Sequence, residues 1–273
     1  MTTLVIGGTG TTGSRVAALV GSSARVATRK PALAGQTRFD WREPETYGPA
    51  LADVDRIYLV PPIGVADPVP IVEPFLAEAR DHGVRRVVLL SSSAITEDTP
   101  QLGELQRLVR VGFPEWTVLR PSWFMQNFSG EHAVARSIRS TGEIVTATGS
   151  GRVAFVDADD IAAVAVRALL DPLPHNTDHV ITGPQALSYA DAASIISEVT
   201  GKPVRHRPVT TGEFAALLTA TGLPSEFADV LAALDEQIRH GAEDRVTTTV
   251  DEVTGRPART FAEFAAAHRD SWR

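Results

Sequence analysis

The stretch Thr3-Leu4-Val5-Ile6-Gly7-Gly8-Thr9-Gly10-Thr11-Thr12-Gly13-Ser14 decides the fold of this 273-residue chain. Its apolar beginning predicts a buried strand, and the apolar residues at helical spacing in 15–20 predict a helix. Between them, Gly8, Gly10 and Gly13 match G-x-G-x-x-G, a pattern typical of a dinucleotide-binding turn. Backbone without a Cβ atom turns tightly and approaches a pyrophosphate, whose charge the helix start stabilises. A tight turn without a ligand is the alternative, but the flanking strand and helix favour the dinucleotide site.

The composition excludes several classes of function. The chain has no cysteine, which rules out disulfides, thiolate zinc sites and a cysteine nucleophile. A net charge of −7 argues against nucleic acid or an anionic membrane surface as the main partner. No apolar run approaches the roughly 20 residues of a membrane span, and the N-terminus lacks a signal-peptide pattern. None of the seven histidines combines H-x-x-x-H spacing with a nearby third ligand. We therefore expect a cytoplasmic protein with a small-molecule substrate and no metal, and the sequence leaves its oligomeric state open.

Short apolar strands alternate with helical segments through the first half of the chain. After the first strand, we predict strands at residues 24–29, 37–41, 56–60, 86–90 and 117–120. These segments lack polar alternation, which is typical of a parallel sheet covered by helices on both faces. The fold class is therefore predicted to be α/β, with a Rossmann-like, doubly wound parallel sheet in a domain of residues 1–125.

The second half, residues 126–273, is less regular and is predicted to form a substrate-side lobe. We expect a hairpin from residues 144–146 and 153–155, and a later strand near 178–182 that returns to the sheet. Asp157 is interpreted as the N-cap of a helix over 161–170. Further helices are predicted at residues 188–200, 213–220, 226–240 and 261–269.

Two cations follow the second predicted strand. In NAD-binding proteins, an acidic residue about 20 positions after the glycines binds the ribose 2′-hydroxyl. Here that place holds Thr28, Arg29 and Lys30. Guanidinium binds phosphate in a fork geometry, so the pair predicts recognition of a 2′-phosphate and hence NADP. An ordinary exposed Arg-Lys pair is the alternative.

Several stretches together resemble the NmrA-like, atypical short-chain dehydrogenases. They are the glycine turn, Phe39-Asp40-Trp41, Val60-Pro61-Pro62, the serine-ended strand at 86–93, and residues 117–127 and 254–261. Within that group, the chain looks most like bacterial relatives of ergot-alkaloid-pathway reductases. The resemblance implies the strand order 3-2-1-4-5-6, a smaller, mostly helical C-terminal lobe, and NADP(H) in the cleft between lobe and sheet.

The resemblance also assigns positions of this chain to the cofactor. The phosphates are implied at Thr9, Gly10, Thr11 and Thr12, and the 2′-phosphate at Arg29, beside Lys30. Gly7 and Gly13 join this site because, with Gly10, they fit the variant pattern G-x-x-G-x-x-G. Asp40 and Trp41 would lie near the adenine, and Val60, Pro61 and Pro62 along the ribose. Ser91 and Ser92 would lie at the reactive end, and Pro121 and Ser122 beside the nicotinamide.

The usual catalytic pair of short-chain dehydrogenases is missing. In Tyr-x-x-x-Lys, the tyrosine protonates the carbonyl oxygen and the lysine lowers its pKa. The tyrosines here are Tyr47, Tyr58 and Tyr189, and neither lysine lies four positions after a tyrosine. Glu104 and Gln106 are polar candidates on the expected helix, with a solvated helix face as the alternative. The catalytic residues therefore stay unknown, and ordinary alcohol–ketone exchange is disfavoured.

Acceptors that are already electron-poor need little help from a general acid. For an iminium ion or a quinone, the protein mainly positions the ring and excludes water. The candidate substrate pocket consists of Ser93, Trp123, Phe124, Met125, Asn127, Phe128 and Phe155. For the apolar members, Trp123, Phe124, Met125, Phe128 and Phe155, packing in a core at the hinge is the alternative. The predicted function is an NADP(H)-dependent reductase of a planar small molecule, and a non-catalytic NADP-binding redox sensor of the NmrA type is the second hypothesis.

Overall fold

The computed structural model describes residues 1–65 and 67–272, which form two compact units. Unit 1 comprises Met1–Pro121, Ala158–Ile181 and Glu252–Gly255. Unit 2 comprises Ser122–Asp157, Thr182–Asp251 and Arg256–Arg273. The predicted division lies between residues 125 and 126, with one later strand returning to the first domain. Unit 1 takes back more of the chain than that strand, because it also contains the helical segment that begins at Ala158.

The β-strands of the described residues are short. In chain order they are β1 Thr3–Val5, β2 Ala24–Thr28, β3 Gln36–Arg38, β4 Arg56–Leu59, β5 Arg86–Leu90, β6 Glu115–Pro121, β7 Glu143–Thr146, β8 Arg152–Val153, β9 Thr177–Ile181, β10 Leu187–Ser188 and β11 Arg205–Pro208.

The α-helices of the same residues are α1 Gly13–Val20, α2 Tyr47–Leu51, α3 Val69–Asp81, α4 Leu102–Gly112, α5 Ala133–Thr141, α6 Ala158–Leu170, α7 Tyr189–Thr200, α8 Thr211–Ala220, α9 Ser225–Arg239, α10 Thr249–Thr254 and α11 Phe261–Ala267. Short 3₁₀ helices lie at Gly21–Ser23, Pro44–Thr46, Met125–Phe128 and Arg269–Trp272. No helix of the described residues is both long and apolar enough to cross a membrane.

Unit 1 is built on a seven-stranded sheet in the order β3-β2-β1-β4-β5-β6-β9. Every neighbouring pair of strands is parallel. The predicted Rossmann-like fold and the order 3-2-1-4-5-6 are confirmed, and β9 extends the sheet beside β6. Because the strands are parallel, the segments that follow them lie along one edge, where open α/β sheets bind ligands.

The central strands are buried on both faces, as their continuous apolar sequence predicts. Ile57 in β4 and Val87 and Val88 in β5 are 0% exposed. Helices α1 and α6 pack against each other, and α3 packs against α4. Residues of this kind contribute most of the folding energy, because burial removes apolar area from water.

A buried arginine fastens α6 to the sheet at the beginning of β5. Arg86 is 3% exposed, and its Nη1 donates to the carbonyl oxygens of Leu169 (2.9 Å) and Asp171 (2.7 Å). Its Nε donates to Glu115 Oε2 at 2.7 Å. The Arg86 guanidinium thus donates to the last carbonyl groups of α6, at the negative end of the helix dipole. Glu115 pairs its positive charge, and this offsets the cost of burying the charge.

Unit 2 contains two small sheets, and they correct the predicted hairpin. β7 pairs with β11 in parallel, and β8 pairs with β10 antiparallel, so residues 144–146 and 153–155 do not pair with each other. The glycines between them serve a close approach instead. A Cβ atom on Gly151 would lie 2.2 Å from the carbonyl oxygen of Ile238 in α9. The loop between the two strands therefore packs closely on α9.

The core of unit 2 is aromatic. Phe128 packs edge-on against Phe155 (ring centroids 5.1 Å apart) and Phe261 (4.9 Å).

Asp157, directly before α6, is 0% exposed and accepts hydrogen bonds from Gln126 Nε2 (2.9 Å) and Arg259 Nη1 (2.7 Å). Its role as a helix N-cap stays a prediction.

A buried carboxylic acid in α9 makes the stability of unit 2 depend on pH. Asp235 is 6% exposed and accepts a hydrogen bond from the Ala147 amide at 2.8 Å. Burial raises the pKa of Asp235 from 3.8 to about 6, against the opposing effects of the Ala147 hydrogen bond and the Arg239 charge. The folded protein therefore binds this proton more tightly than the unfolded chain, and stability falls as pH rises from about 4 through 6.

We expect Asp235→Asn to stabilise the protein near neutral pH, because the amide keeps an acceptor for the Ala147 amide without the cost of a buried charge. The gain in the free energy of unfolding is on the order of 2–3 kcal/mol at most, and it should shrink towards pH 4. Thermal unfolding at pH 4.5 and 7.5 measures it, with Asp229→Asn, an exposed position of the same helix, as control. Equal shifts at both pH values would contradict the assignment.

Candidate active site

The glycine turn after β1 folds back tightly onto the start of α1. Gly7 has φ +71°, in the left-handed region, and its carbonyl oxygen accepts the Gly10 amide at 2.8 Å. A Cβ atom on Gly13 would lie 2.2 Å from the same oxygen, whereas one on Gly10 would lie 3.2 Å from it. Gly7 and Gly13 are therefore required by the backbone itself. Gly10 is exposed and leaves its outer side open.

Side chains from two neighbouring elements hold the turn. The Tyr58 hydroxyl, at 0% exposure in β4, donates to Thr12 Oγ1 at 2.9 Å. Burial raises the Tyr58 pKa, so this donor stays protonated. Arg15 Nη1 donates to the Thr11 carbonyl oxygen (2.7 Å), and its Nε pairs with Asp159 of α6 (2.5 Å). The Thr12 side chain is thus an anchor of the turn, while Thr9 and Thr11 remain exposed.

An open groove of about 910 Å³ runs along the edge of the sheet in unit 1. It brings together more than half of the residues that the sequence assigns to a cofactor. Those residues are Gly7, Thr9, Arg29, Lys30, Asp40, Trp41, Val60, Pro61 and Pro62. Gly10, Thr11, Thr12 and Gly13 belong to the same turn as Gly7 and Thr9.

The groove also contains residues that the sequence analysis did not assign to the cofactor. They are Ile6, Ala27, Thr28, Arg38, Phe39, Arg42, Glu43, Ile63, Val65 and Ile71. Arg38 and Arg42 flank the predicted Asp40-Trp41 pair along the chain, and this proximity is the signal that could have found them.

The charges at one end of the groove are only partly compensated. Arg38 is paired with Glu43 at 2.6 Å. Asp40 Oδ1 accepts the Arg42 amide at 2.9 Å. Arg29 and Lys30 are exposed on the groove, and no carboxylate of the described residues pairs with either. The wall beside them is suited to an anion such as a phosphate group.

Trp41 is held rigidly at the groove by an aromatic cluster. It packs edge-on against Phe39 (4.9 Å between ring centroids) and Phe75 (5.3 Å). The Tyr47 hydroxyl donates to the Trp41 carbonyl oxygen at 3.0 Å. A flat apolar wall that is fixed in this way suits a planar base.

The serines after β5 are held by backbone and side-chain hydrogen bonds. The Ser91 amide donates to Leu119 O (2.7 Å), and its Oγ accepts from Gln106 Nε2 (2.9 Å). Ser92 Oγ accepts the Ala94 amide at 3.3 Å. Ser93 is 2% exposed, and its amide donates to the Pro121 carbonyl oxygen at 2.9 Å. Ser91 and Ser92 are half-buried, so they are the serines of this segment that present surface.

The remaining predicted residues fall into two groups. Pro121 ends β6 in unit 1, and Ser122 in unit 2 is 2% exposed with its Oγ 3.4 Å from Glu243 Oε2. Trp123, Phe124 and Asn127 are half-buried in unit 2. Met125, Phe128 and Phe155 are buried in the core of unit 2, at 1%, 0% and 1% exposure. Core packing accounts for these three, and we do not include them in the site that we propose.

The two polar candidates for the missing acid have different environments. Glu104 is paired with Arg107 three residues later on α4, at 2.5 Å, which fits a solvated helix face. Gln106 is 0% exposed and contacts Ser91. Within residues 1–65 and 67–272, no group of three or more His, Cys, Asp or Glu side chains is placed to hold a metal ion.

Comparison with known proteins gives consistent matches along the whole chain. The model of the NmrA-like family matches residues 108–265. An uncharacterized oxidoreductase of Bacillus subtilis (strain 168) is 50% identical over 98% of this chain and 96% of its own length. An NAD(P)H azoreductase of Xenophilus azovorans is 38% identical over 97% of both chains. An agroclavine dehydrogenase of Claviceps fusiformis is 37% identical over 100% of this chain and 99% of its own.

The fold also has a solved counterpart. An NADPH-dependent quinone oxidoreductase of Escherichia coli, complexed with NADPH, superposes with a TM-score of 0.84. It is 23% identical and covers 98% of this chain and 99% of its own. At this identity, the likeness supports the fold alone.

The geometry of the turn predicts different losses of stability for substitutions at Gly13 and Gly10. We expect Gly13→Ala to destabilise the protein by on the order of 3 kcal/mol or more, because the methyl group would meet the Gly7 carbonyl at 2.2 Å. Gly10→Ala, with a tight but not overlapping 3.2 Å to the same oxygen, should cost clearly less. Urea unfolding of the two variants compares them. Similar losses of stability would show that the turn is not packed as described.

Proposed function

The chain belongs to the NmrA-like family, and we propose that it is an NADP(H)-dependent oxidoreductase that reduces a planar, electron-poor small molecule such as an imine, an iminium ion or a quinone. The observation that carries the proposal is the groove that joins the glycine turn to Arg29 and Lys30, two cations with no carboxylate partner in the described part of the chain. An NAD(P)H azoreductase and an agroclavine dehydrogenase among the relatives support a reductase of small molecules.

The residues present fit NADP(H). The Gly10 side of the turn is exposed and lies at the start of α1, where the positive end of the helix dipole suits a pyrophosphate. Arg29 and Lys30 would hold the 2′-phosphate, and Trp41 would provide a rigid wall near the adenine. When bound, the reduced cofactor supplies the hydride.

The tyrosines are poorly placed to supply a proton. Tyr47, Tyr58 and Tyr189 are 2%, 0% and 6% exposed. Two of their hydroxyls are occupied within unit 1, Tyr47 with Trp41 and Tyr58 with Thr12. Burial raises the pKa of Tyr189 well above its ordinary value. A reaction without a general acid forgoes a factor of roughly 10²–10⁴, so the acceptor must carry its own activation.

The chain's contribution to such a reaction is placement and exclusion of water. Trp123 and Phe124 are half-buried aromatic side chains that can contact a flat substrate, and Asn127 offers a polar group to orient it. A non-catalytic sensor would need the cofactor groove but no such residues. The relatives whose names describe reductases and dehydrogenases favour the enzyme.

Cofactor preference tests the two cations. Arg29→Ala removes a charged contact to the 2′-phosphate, and we expect NADPH to bind more weakly by about 1.5–3 kcal/mol, with little change for NADH. Calorimetric titration of both cofactors measures this. Arg85→Ala is the matched control. Arg85 is an exposed arginine at the amino end of β5, whereas the groove lies at the carboxyl ends of the strands. Equal affinity of the unaltered protein for both cofactors would overturn the preference.

A branched side chain at Gly10 tests the phosphate site. Gly10→Val should abolish NADPH binding, because the side chain would fill the open side of the turn, while the cofactor-free protein still folds and unfolds in one thermal transition. Fluorescence titration with NADPH and a melting curve give the two readings. Normal binding by the variant would show that the pyrophosphate lies elsewhere.

The reaction itself is tested by two sets of variants. Trp123→Ala and Phe124→Ala should lower turnover of the best imine or quinone on the order of 10- to 100-fold by loosening ring placement. Tyr189→Phe should leave turnover largely intact, and Tyr47→Phe should lower it only as far as the lost hydrogen bond to the Trp41 carbonyl oxygen loosens that wall. Steady-state rates decide between them. A loss of roughly a thousandfold in a tyrosine variant, with Phe124→Ala unaffected, would contradict both assignments.

A further inference from the structure

The Gln106 side chain lies fully buried in α4, directly behind Ser91. Its Nε2 donates to Ser91 Oγ at 2.9 Å and to the Ile95 carbonyl oxygen at 3.3 Å. Its Oε1 accepts from Arg110 Nη2 at 3.4 Å. The contacts with Ser91 and Ile95 connect α4 to the segment that follows β5, and the contact with Arg110 lies within α4.

These contacts fix the orientation of the amide. A carbonyl oxygen can only accept and a guanidinium can only donate, so Ile95 requires the nitrogen of Gln106 on its side and Arg110 requires the oxygen on the other. A flipped amide would bring two acceptors together at Ile95. Ser91 Oγ therefore faces a donor and must accept.

The hydroxyl hydrogen of Ser91 is consequently directed away from Gln106. A serine hydroxyl has one hydrogen and two acceptor positions, and Gln106 uses one of the acceptor positions. No acceptor for this hydrogen is found among residues 1–65 and 67–272. Ser91 is half-buried and follows the carboxyl end of a central parallel strand.

The groups behind Gln106 are rigid. Arg110 makes two hydrogen bonds to the Asp178 carboxylate of β9, at 2.7 and 2.6 Å, and also pairs with Glu97. Its guanidinium lies 5.5 Å from the centre of the Trp116 ring. The chain of contacts from Asp178 through Arg110 to Gln106 holds the amide against rotation.

We infer that Gln106 is a positioning residue that keeps the Ser91 hydroxyl as a hydrogen-bond donor to an acceptor oxygen of the bound ligand. The inference rests on the proposed function, because an open parallel sheet binds its ligand beyond the carboxyl ends of its strands, and Ser91 directly follows β5. The acceptor oxygen has two sources, the carboxamide of the nicotinamide or the carbonyl of a quinone substrate.

Three variants separate the direction of the hydrogen bond between Gln106 and Ser91 from the packing of the Gln106 side chain. Gln106→Glu has nearly the same shape but no amide hydrogen, so the carboxylate accepts from Ser91 and turns its donor inward. Gln106→Met fills the same volume and leaves Ser91 free to rotate. Ser91→Ala removes the donor. We expect Gln106→Glu to lower NADPH affinity or kcat as much as Ser91→Ala does, on the order of tenfold. Gln106→Met should lower the same quantity less. The double variant Ser91→Ala/Gln106→Glu should cost no more than Ser91→Ala alone.

Two measurements on each variant identify the source of the oxygen. A tenfold rise in the dissociation constant of NADPH, with equal losses for all substrates, assigns the cofactor carboxamide. Unchanged NADPH binding, with a lower kcat for a quinone and an unchanged kcat for an iminium ion, assigns the quinone carbonyl. Gln185→Glu, the same substitution at an exposed position of unit 2, is the control.

Urea unfolding of the cofactor-free variants guards against a failure to fold. If Gln106→Glu is unfolded, the comparison of Gln106→Met, Ser91→Ala and their double variant replaces it, and their losses should be less than additive. Losses that add fully, or a folded Gln106→Glu variant that matches the unaltered protein in NADPH affinity and kcat, would overturn the inference. An unaltered protein that binds no NADP(H) would overturn the proposed function and the inference with it, which distinguishes the two failures.

Discussion

The close approach of Gly13 to the Gly7 carbonyl is the constraint on which unit 1 depends. With 2.2 Å between that oxygen and any Cβ atom at position 13, only glycine allows α1 to begin directly beside the end of β1. Gly8 meets a similar limit, because a Cβ there would lie 2.7 Å from Val26 Cγ1 of β2. The turn therefore fixes the first helix against the first two strands, and its exposed side becomes one end of the groove.

The polar groups at the edge of the sheet serve two different purposes. Around the groove, Arg29 and Lys30 are exposed and unpaired among the described residues, and this leaves their charge available to a ligand. Behind Ser91, Gln106 and Arg110 are satisfied by fixed partners. The exposed cations can add affinity for an anionic ligand. The buried hydrogen-bonded groups fix the orientation of a side chain, because breaking any of their hydrogen bonds leaves a buried polar group without a partner.

Local patterns predicted the fold well, and long-range contacts account for the differences. The parallel sheet and the glycine turn follow from strand, turn and helix signals within a few residues of each other. The hairpin prediction was wrong because the partner of β7 is β11, about 60 residues away, which periodicity cannot reveal. The apolar residues near position 125 fit either a pocket or a core by sequence, and Met125 and Phe128 proved to lie in the core. The orientation of Gln106 required the positions of Ile95 and Arg110.

The position of the tyrosines connects the fold to the chemistry that it supports. Tyr58 donates its hydrogen to Thr12, so this hydroxyl stabilises the glycine turn and has no proton to give a substrate. Tyr47 does the same for the backbone of Trp41. The hydroxyls that could have protonated a substrate in unit 1 instead hold the walls of the groove. A rigid groove with oriented donors and no tyrosine acid favours acceptors whose electron deficiency is built in, because such acceptors need placement more than protonation.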